Sequence, residues 1–212
     1  MSTCINYGVL DEDSMASDSA TDIATQQSIK AYSDSLVVDA GYTLLSTTTI
    51  SGSPTELLFT GLTDAYKIYA MEFANISANT TAIEFLAQVS IDNGSSFISS
   101  AASYSWANFK YGGTDSSSAG DTNVNLYSGG INGQTTSGMT VRMLIVNPTD
   151  SSVETQFIFT GVIRLDNSPQ NMRQSFGVGK RLNAEDNDAI RVFVSSSAMT
   201  DGGGAIYLYG VS

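Results

Sequence analysis

The sequence predicts an all-β protein, an antiparallel jelly-roll-like β-sandwich preceded by an extended N-terminal arm and one short α-helix. Three observations carry this reading. Apolar and polar residues alternate in many short runs, most cleanly where Ile83, Phe85, Ala87, Val89 and Ile91 oppose Glu84, Gln88, Ser90 and Asp92. Turn-forming residues punctuate the runs, as at Asp92-Asn93-Gly94 and Asn147-Pro148-Thr149-Asp150. Helical periodicity occurs once, after Thr25, so no crossover helices are available to build a parallel sheet.

Residues 1–40 form one region and residues 41–212 a second, the sandwich. The first 20 residues are polar and acidic, with only Ile5, Tyr7, Val9 and Leu10 to bury. Such an arm cannot build its own core and is expected to gain order by laying those four side chains on a neighbouring subunit. Thr25 is placed to cap a helix in which Ile29, Tyr32 and Leu36 fall on one stripe. About three turns are marginal alone, so the stripe needs a partner, and contact between subunits is the candidate role for these residues.

From Tyr42 onward about nine or ten strands are expected. They run over Tyr42 to Ile50, Glu56 to Leu62, Tyr66 to Ile76, Ile83 to Asp92, a return at Phe97 and Ile98, Tyr104 to Tyr111, Thr140 to Val146 and Val153 to Leu165. In the last of these Phe157, Phe159, Gly161, Ile163 and Leu165 share a face. Gly112 to Gly120 and Ser128 to Gly138 read as loops, and Gly177-Val178-Gly179-Lys180 as a turn. Asp188 to Val211, with Ile190, Val192 and Val194 before Gly202-Gly203-Gly204 and Ile206, Leu208 and Val211 after it, reads as a closing hairpin.

Composition excludes several functions. The net charge is −12, and seven of the acids lie in the first 40 residues against Lys30 alone. A phosphate backbone needs clustered cations, so neither nucleic acid nor an anionic membrane is an expected partner. Five of the nine cations, Arg164, Arg173, Lys180, Arg181 and Arg191, fall in one stretch but are interspersed with acids, as on a solvated or intersubunit face. The longest buried-looking apolar run, Met143 to Val146, is far short of the roughly 20 residues of a membrane span. No signal peptide is evident, and the lone Cys4 cannot close an intrachain disulfide.

There is no histidine, which removes Ser-His-Asp and Cys-His nucleophiles and the usual zinc ligands together. Glu56, Glu72, Glu84 and Glu154 sit in predicted strands as outward, solvated residues, and no pair is identifiable as a glycosidase acid and base. The expectation is therefore a protein with no enzymatic activity, catalytic residue, metal or cofactor. Tyr104, Trp106 and Tyr111, the tryptophan being the only one, are candidate ligand-facing aromatics that could stack on a sugar, against the plainer reading as core or interface.

Two segments carry a family resemblance. Ser19 to Tyr32, SATDIATQQSIKAY, resembles a segment found ahead of β-domains in bacteriophage tail-fibre-type proteins, and IRVF…GGAIYLYGV resembles the C-terminus of phage virion appendage proteins. The resemblance implies a homotrimer made in the host cytoplasm and built into the virion, with Ile29, Tyr32 and Leu36 near the threefold axis. Implied partners are sister chains, other virion proteins (tail, portal-proximal or major capsid) and a host-surface glycan. Capsid decoration is the alternative within this class, and a carbohydrate-binding module the alternative outside it.

Overall fold

The computed structural model describes residues 9–10, 23–30, 41–80, 83–111, 113–131, 138–164 and 172–212. The chain divides into two compact units, Met1–Ala40 and Gly41–Ser212. In the first, β1 (Val9–Leu10) pairs in parallel with β2 (Ile23–Ala24), and residues 26–30 form the helix α1. Thr25 caps it: its Oγ1 accepts from the Ser28 N–H at 3.1 Å, and its carbonyl accepts from the Ile29 N–H. Ile29 of the expected stripe is exposed whereas Ser28 is buried. Val9 and Leu10, expected to reach a neighbouring subunit, pair their backbones with Ile23 and Ala24 of the same chain. Ile5, Tyr7, Tyr32 and Leu36 lie outside the described residues.

The second unit is an all-β sandwich of twelve strands: β3 (Tyr42–Thr49), β4 (Glu56–Thr60), β5 (Ile68–Ile76), β6 (Ile83–Ser90), β7 (Tyr104–Tyr111), β8 (Ser116–Asp121), β9 (Val124–Ile131), β10 (Met139–Val146), β11 (Gln156–Arg164), β12 (Met172–Arg181), β13 (Ala189–Val194) and β14 (Ala205–Val211). One sheet has eight strands in the order β3-β14-β5-β10-β11-β12-β7-β8, the other four in the order β4-β13-β6-β9. Every pairing within them is antiparallel. Between the sheets lies one core, to which alternate residues contribute from each side: Tyr69, Met71 and Phe73 of β5, Phe85, Ala87 and Val89 of β6, Phe157 and Phe159 of β11, Ile190 and Val192 of β13. Phe73 meets Phe85 edge to face across the interior, ring centres 5.5 Å apart.

Several expectations change. β13 and β14 do not form a closing hairpin, because they belong to different sheets. Residues 195–204 carry the chain from one sheet to the other, held by Met199 N–H to Pro54 O and Thr200 N–H to Ser77 O. The crossing ends at Gly204, whose φ of +121° lets the backbone pass beside the Ala74 carbonyl where a Cβ would collide at 2.1 Å. The strands Ser116–Asp121 and Val124–Ile131 overlap the two spans read as loops, and the Gly177 to Lys180 turn is the end of strand β12. Phe97 and Ile98 begin no strand, and Ile91 is exposed at the turn instead of sharing the core with Val89. The β10–β11 hairpin across Asn147 to Asp150 is present, Val146 paired with Gln156.

Candidate functional site

The distinctive surface is the outward face of the eight-stranded sheet. On β12 the usual order is inverted: Ser175, Gly177 and Gly179 point into the sandwich while Phe176 and Val178 point out, 55% and 49% exposed. Packing explains the inversion. A Cβ at Gly177 would lie 2.3 Å from the Phe159 ring, and one at Gly179 would lie 2.7 Å from Val124, so the inward positions of β12 have no room for side chains. The inner side of this end of the sheet is also polar. Ser175 Oγ donates to Asn108 Oδ1 at 2.6 Å, and Asn108 Nδ2 donates to the Leu126 carbonyl at 3.1 Å. Lys110 lies over the Tyr127 ring at 5.7 Å; burial, then the Arg173 charge, lowers its pKa, and burial raises that of Tyr127.

Strand register arranges the outward residues in rows. Leu44, Tyr209, Ala70, Leu144, Ile158, Val178, Ala107 and Ser117 form a single row that crosses all eight strands without a charged residue. Beside it runs a row from Thr47 through Tyr207, Glu72, Arg142 and Thr160 to Phe176 and Phe109, whose rings stack at 5.0 Å. On the other side, Tyr42, Val211, Ile68, Val146, Gln156, Lys180 and Ser105 form a third. These three rows hold one acid, Glu72, and two bases, Arg142 and Lys180, on a chain of net charge −12. Glu72 pairs with Arg142 at 3.8 Å, and Lys180 with Glu154 at 2.7 Å.

Tyr111, beyond Phe109 on β7, is 82% exposed and stands out from this face. On the other side of Phe109 the floor drops to the small residues Ser105, Ala107 and Ser117, walled by Ile158 and Val178, making an open trough of about 580 Å³. With a whole aromatic side chain taken as about 200 Å², the exposed parts of Phe109, Tyr111, Ile158, Val162, Phe176 and Val178, on the neighbouring strands β11, β12 and β7, come to roughly 600 Å². That is the upper end of the ~300–600 Å² of the largest apolar patch on an ordinary monomer; Tyr42 and Leu44 lie apart on the edge strand β3, where the Arg142 guanidinium covers the Tyr42 ring at 4.5 Å.

The three aromatics singled out in the sequence do not make a sugar platform. Tyr104 is fully buried and Trp106 is 9% exposed, its indole N–H donating to Asp121 Oδ2 at 2.9 Å, whereas Tyr111 lies on the opposite side of β7. Seven residues separate Tyr104 from Tyr111, and an odd separation on a strand puts two side chains on opposite faces. Burial pushes the Tyr104 phenol up to about 12; its O–H donates to Ile98 O and accepts from Val89 N–H. Of the four glutamates expected in strands, Glu56, Glu72 and Glu84 lie in β4, β5 and β6 while Glu154 precedes β11, and each has a separate partner: Glu56 with Arg191, Glu72 with Arg142, Glu84 with Asn125 Nδ2 and Glu154 with Lys180. Among the described residues no three His, Cys, Asp or Glu side chains are grouped to hold a metal ion. No helix among them is long and apolar enough to cross a membrane.

Fold and surface together define a β-sandwich with one broad, nearly uncharged outer face. No family model, curated protein or solved structure matches the chain.

Proposed function

We propose that this chain is a bacteriophage virion structural protein, a trimeric tail-fibre or appendage subunit that assembles and adheres and catalyses no reaction. One observation carries the reading: the uncharged row across all eight strands, flanked by stacked Phe109 and Phe176, on a chain whose overall charge would otherwise keep copies apart. An apolar patch of roughly 600 Å² is most of one partner's share, about 800 Å², of a standard protein interface. The SATDIATQQSIKAY and GGAIYLYGV resemblances supply the virion context, and capsid decoration shares the same physics. Strand order supports the jelly-roll reading: β3-β14-β5-β10 and β4-β13-β6-β9 interleave as two Greek keys, with β7, β8, β11 and β12 as hairpin extensions of the larger sheet. The buried Trp106 gives the carbohydrate-binding alternative no platform.

Light scattering of the purified full chain tests the assembly. A trimer is expected at micromolar concentration, and Phe176→Asp, at an outward position, is expected to give a folded monomer by circular dichroism. A wild-type chain that is monomeric there overturns the reading. Antibody to the sandwich is expected to label intact particles of the encoding phage, and label confined to free protein overturns the virion assignment.

A further inference from the structure

The outer face carries both a projection and a recess, and they lie on the same strand. Tyr111 stands clear of the surface, and four residues earlier on β7, about 13 Å along the strand, Ala107 forms the floor of the trough. A filled surface would place a large side chain at Ala107 or at Ser117, its register partner on β8. The trough walls, Ile158 and Val178, are apolar, while Lys180 and Gln156 bring polar groups to its rim. An amphipathic aromatic ring with one hydroxyl fits that lining.

We infer that the trough is filled by Tyr111 of a second copy of this chain. The inference rests on the self-assembly reading above and specifies its central contact. A second copy is the occupant because three properties agree. Each copy carries both knob and recess, which is what a self-complementary contact in a pair, or one handed around a closed ring, requires. The face is nearly uncharged, so two copies of an acidic chain meet there without opposed charge. Its apolar patch supplies most of one partner's share of a standard interface. Tyr111 and Phe109 are then the buried anchors, and the polar rim keeps water from them.

Sedimentation of the full chain at graded concentrations tests the contact. Tyr111→Ala, which empties the recess, is expected to weaken association about 30-fold, equivalent to about 2 kcal/mol. Ala107→Gln and Ser117→Gln fill the recess instead and are expected to weaken it to a similar degree. Ser117 is exposed on an edge strand, so its variant probes the recess without touching the core. Tyr111→Phe, which keeps the ring, is expected to stay within about threefold of wild type. A monomeric wild type overturns both this inference and the assembly reading. An oligomer dissociated by Phe176→Asp but unaffected by Tyr111→Ala and Ser117→Gln overturns this inference alone. A dimer sensitive to all of them supports the knob and recess and overturns the trimer.

Discussion

Gly177→Ala adds one methyl group, and the structure assigns it a larger cost than the change suggests. The new Cβ would sit 2.3 and 2.4 Å from two atoms of the Phe159 ring and 2.7 Å from the Ala107 carbonyl oxygen. The ring is fully enclosed and cannot swing away, and the carbonyl belongs to the β12–β7 ladder, where Gly177 opposes Asn108 and Val178 opposes Ala107. Overpacking a dense core costs about 1–3 kcal/mol; with contacts on two sides we expect about 2 kcal/mol. With a urea m-value of about 2 kcal/mol/M the unfolding midpoint then falls by about 1 M. Gly41→Ala is the control, since nothing lies within 4 Å of the Cβ it would add. Combining Gly177→Ala with Phe159→Leu should cost less than the sum of the two by about 1 kcal/mol, because the smaller side chain yields the space. A Gly177→Ala protein within about 0.5 kcal/mol of wild type would show that β12 does not face inward at that position, and the inverted face would lose its physical basis.

Two pH effects follow from named groups. Tyr104 is neutral in the folded state with its pKa raised from 10.0 to about 12, so its stabilising contribution is whole below pH 10 and is lost as pH rises between those values; Tyr104→Phe should remove this alkaline phase from unfolding curves. Asp92 is held down to about 2 by hydrogen bonds from the Ser90 and Ser96 hydroxyls, so its contribution is present above pH 3.8 and is lost as pH falls toward 2. An NMR titration of Ser90→Ala should find the Asp92 carboxyl moved up toward 3.8, and an unmoved value would refute the assignment.

Where alternation and turn chemistry point the same way, the fold was legible. Strand β6 and the Asn147–Asp150 turn between β10 and β11 appear where those local signals put them, because each depends on residues adjacent in sequence, although Gln88 and Ser90 on the polar face of β6 are buried and not outward. β8 was hidden for the opposite reason. SSSAGD has no strand signature and becomes a strand through its pairing with β7. β12 shows alternation, but nothing within it says which face is inside; that is decided by Phe159 and Val124, distant residues that fill the space beside its glycines. Tyr111, by contrast, lies an odd number of positions from both Tyr104 and Trp106, so its place on the other face of β7 was legible from strand parity. β13 and β14 read as a hairpin because a glycine run between two alternating segments looks alike whether the chain turns back or crosses to another layer.

The places of those two strands bear on how the protein is made. β13 inserts between β4 and β6, and β14 between β3 and β5, so the four-stranded sheet lacks an interior member until β13 joins it and the eight-stranded sheet until β14 does. A chain folded only as far as β12 therefore holds two gapped layers with unpaired backbone on both sides of each gap, open to the wrong partner. Closure comes from contacts distant in sequence, the slow kind to form, and it arrives in both layers almost together. Completion of the two layers is then a late and cooperative step of folding.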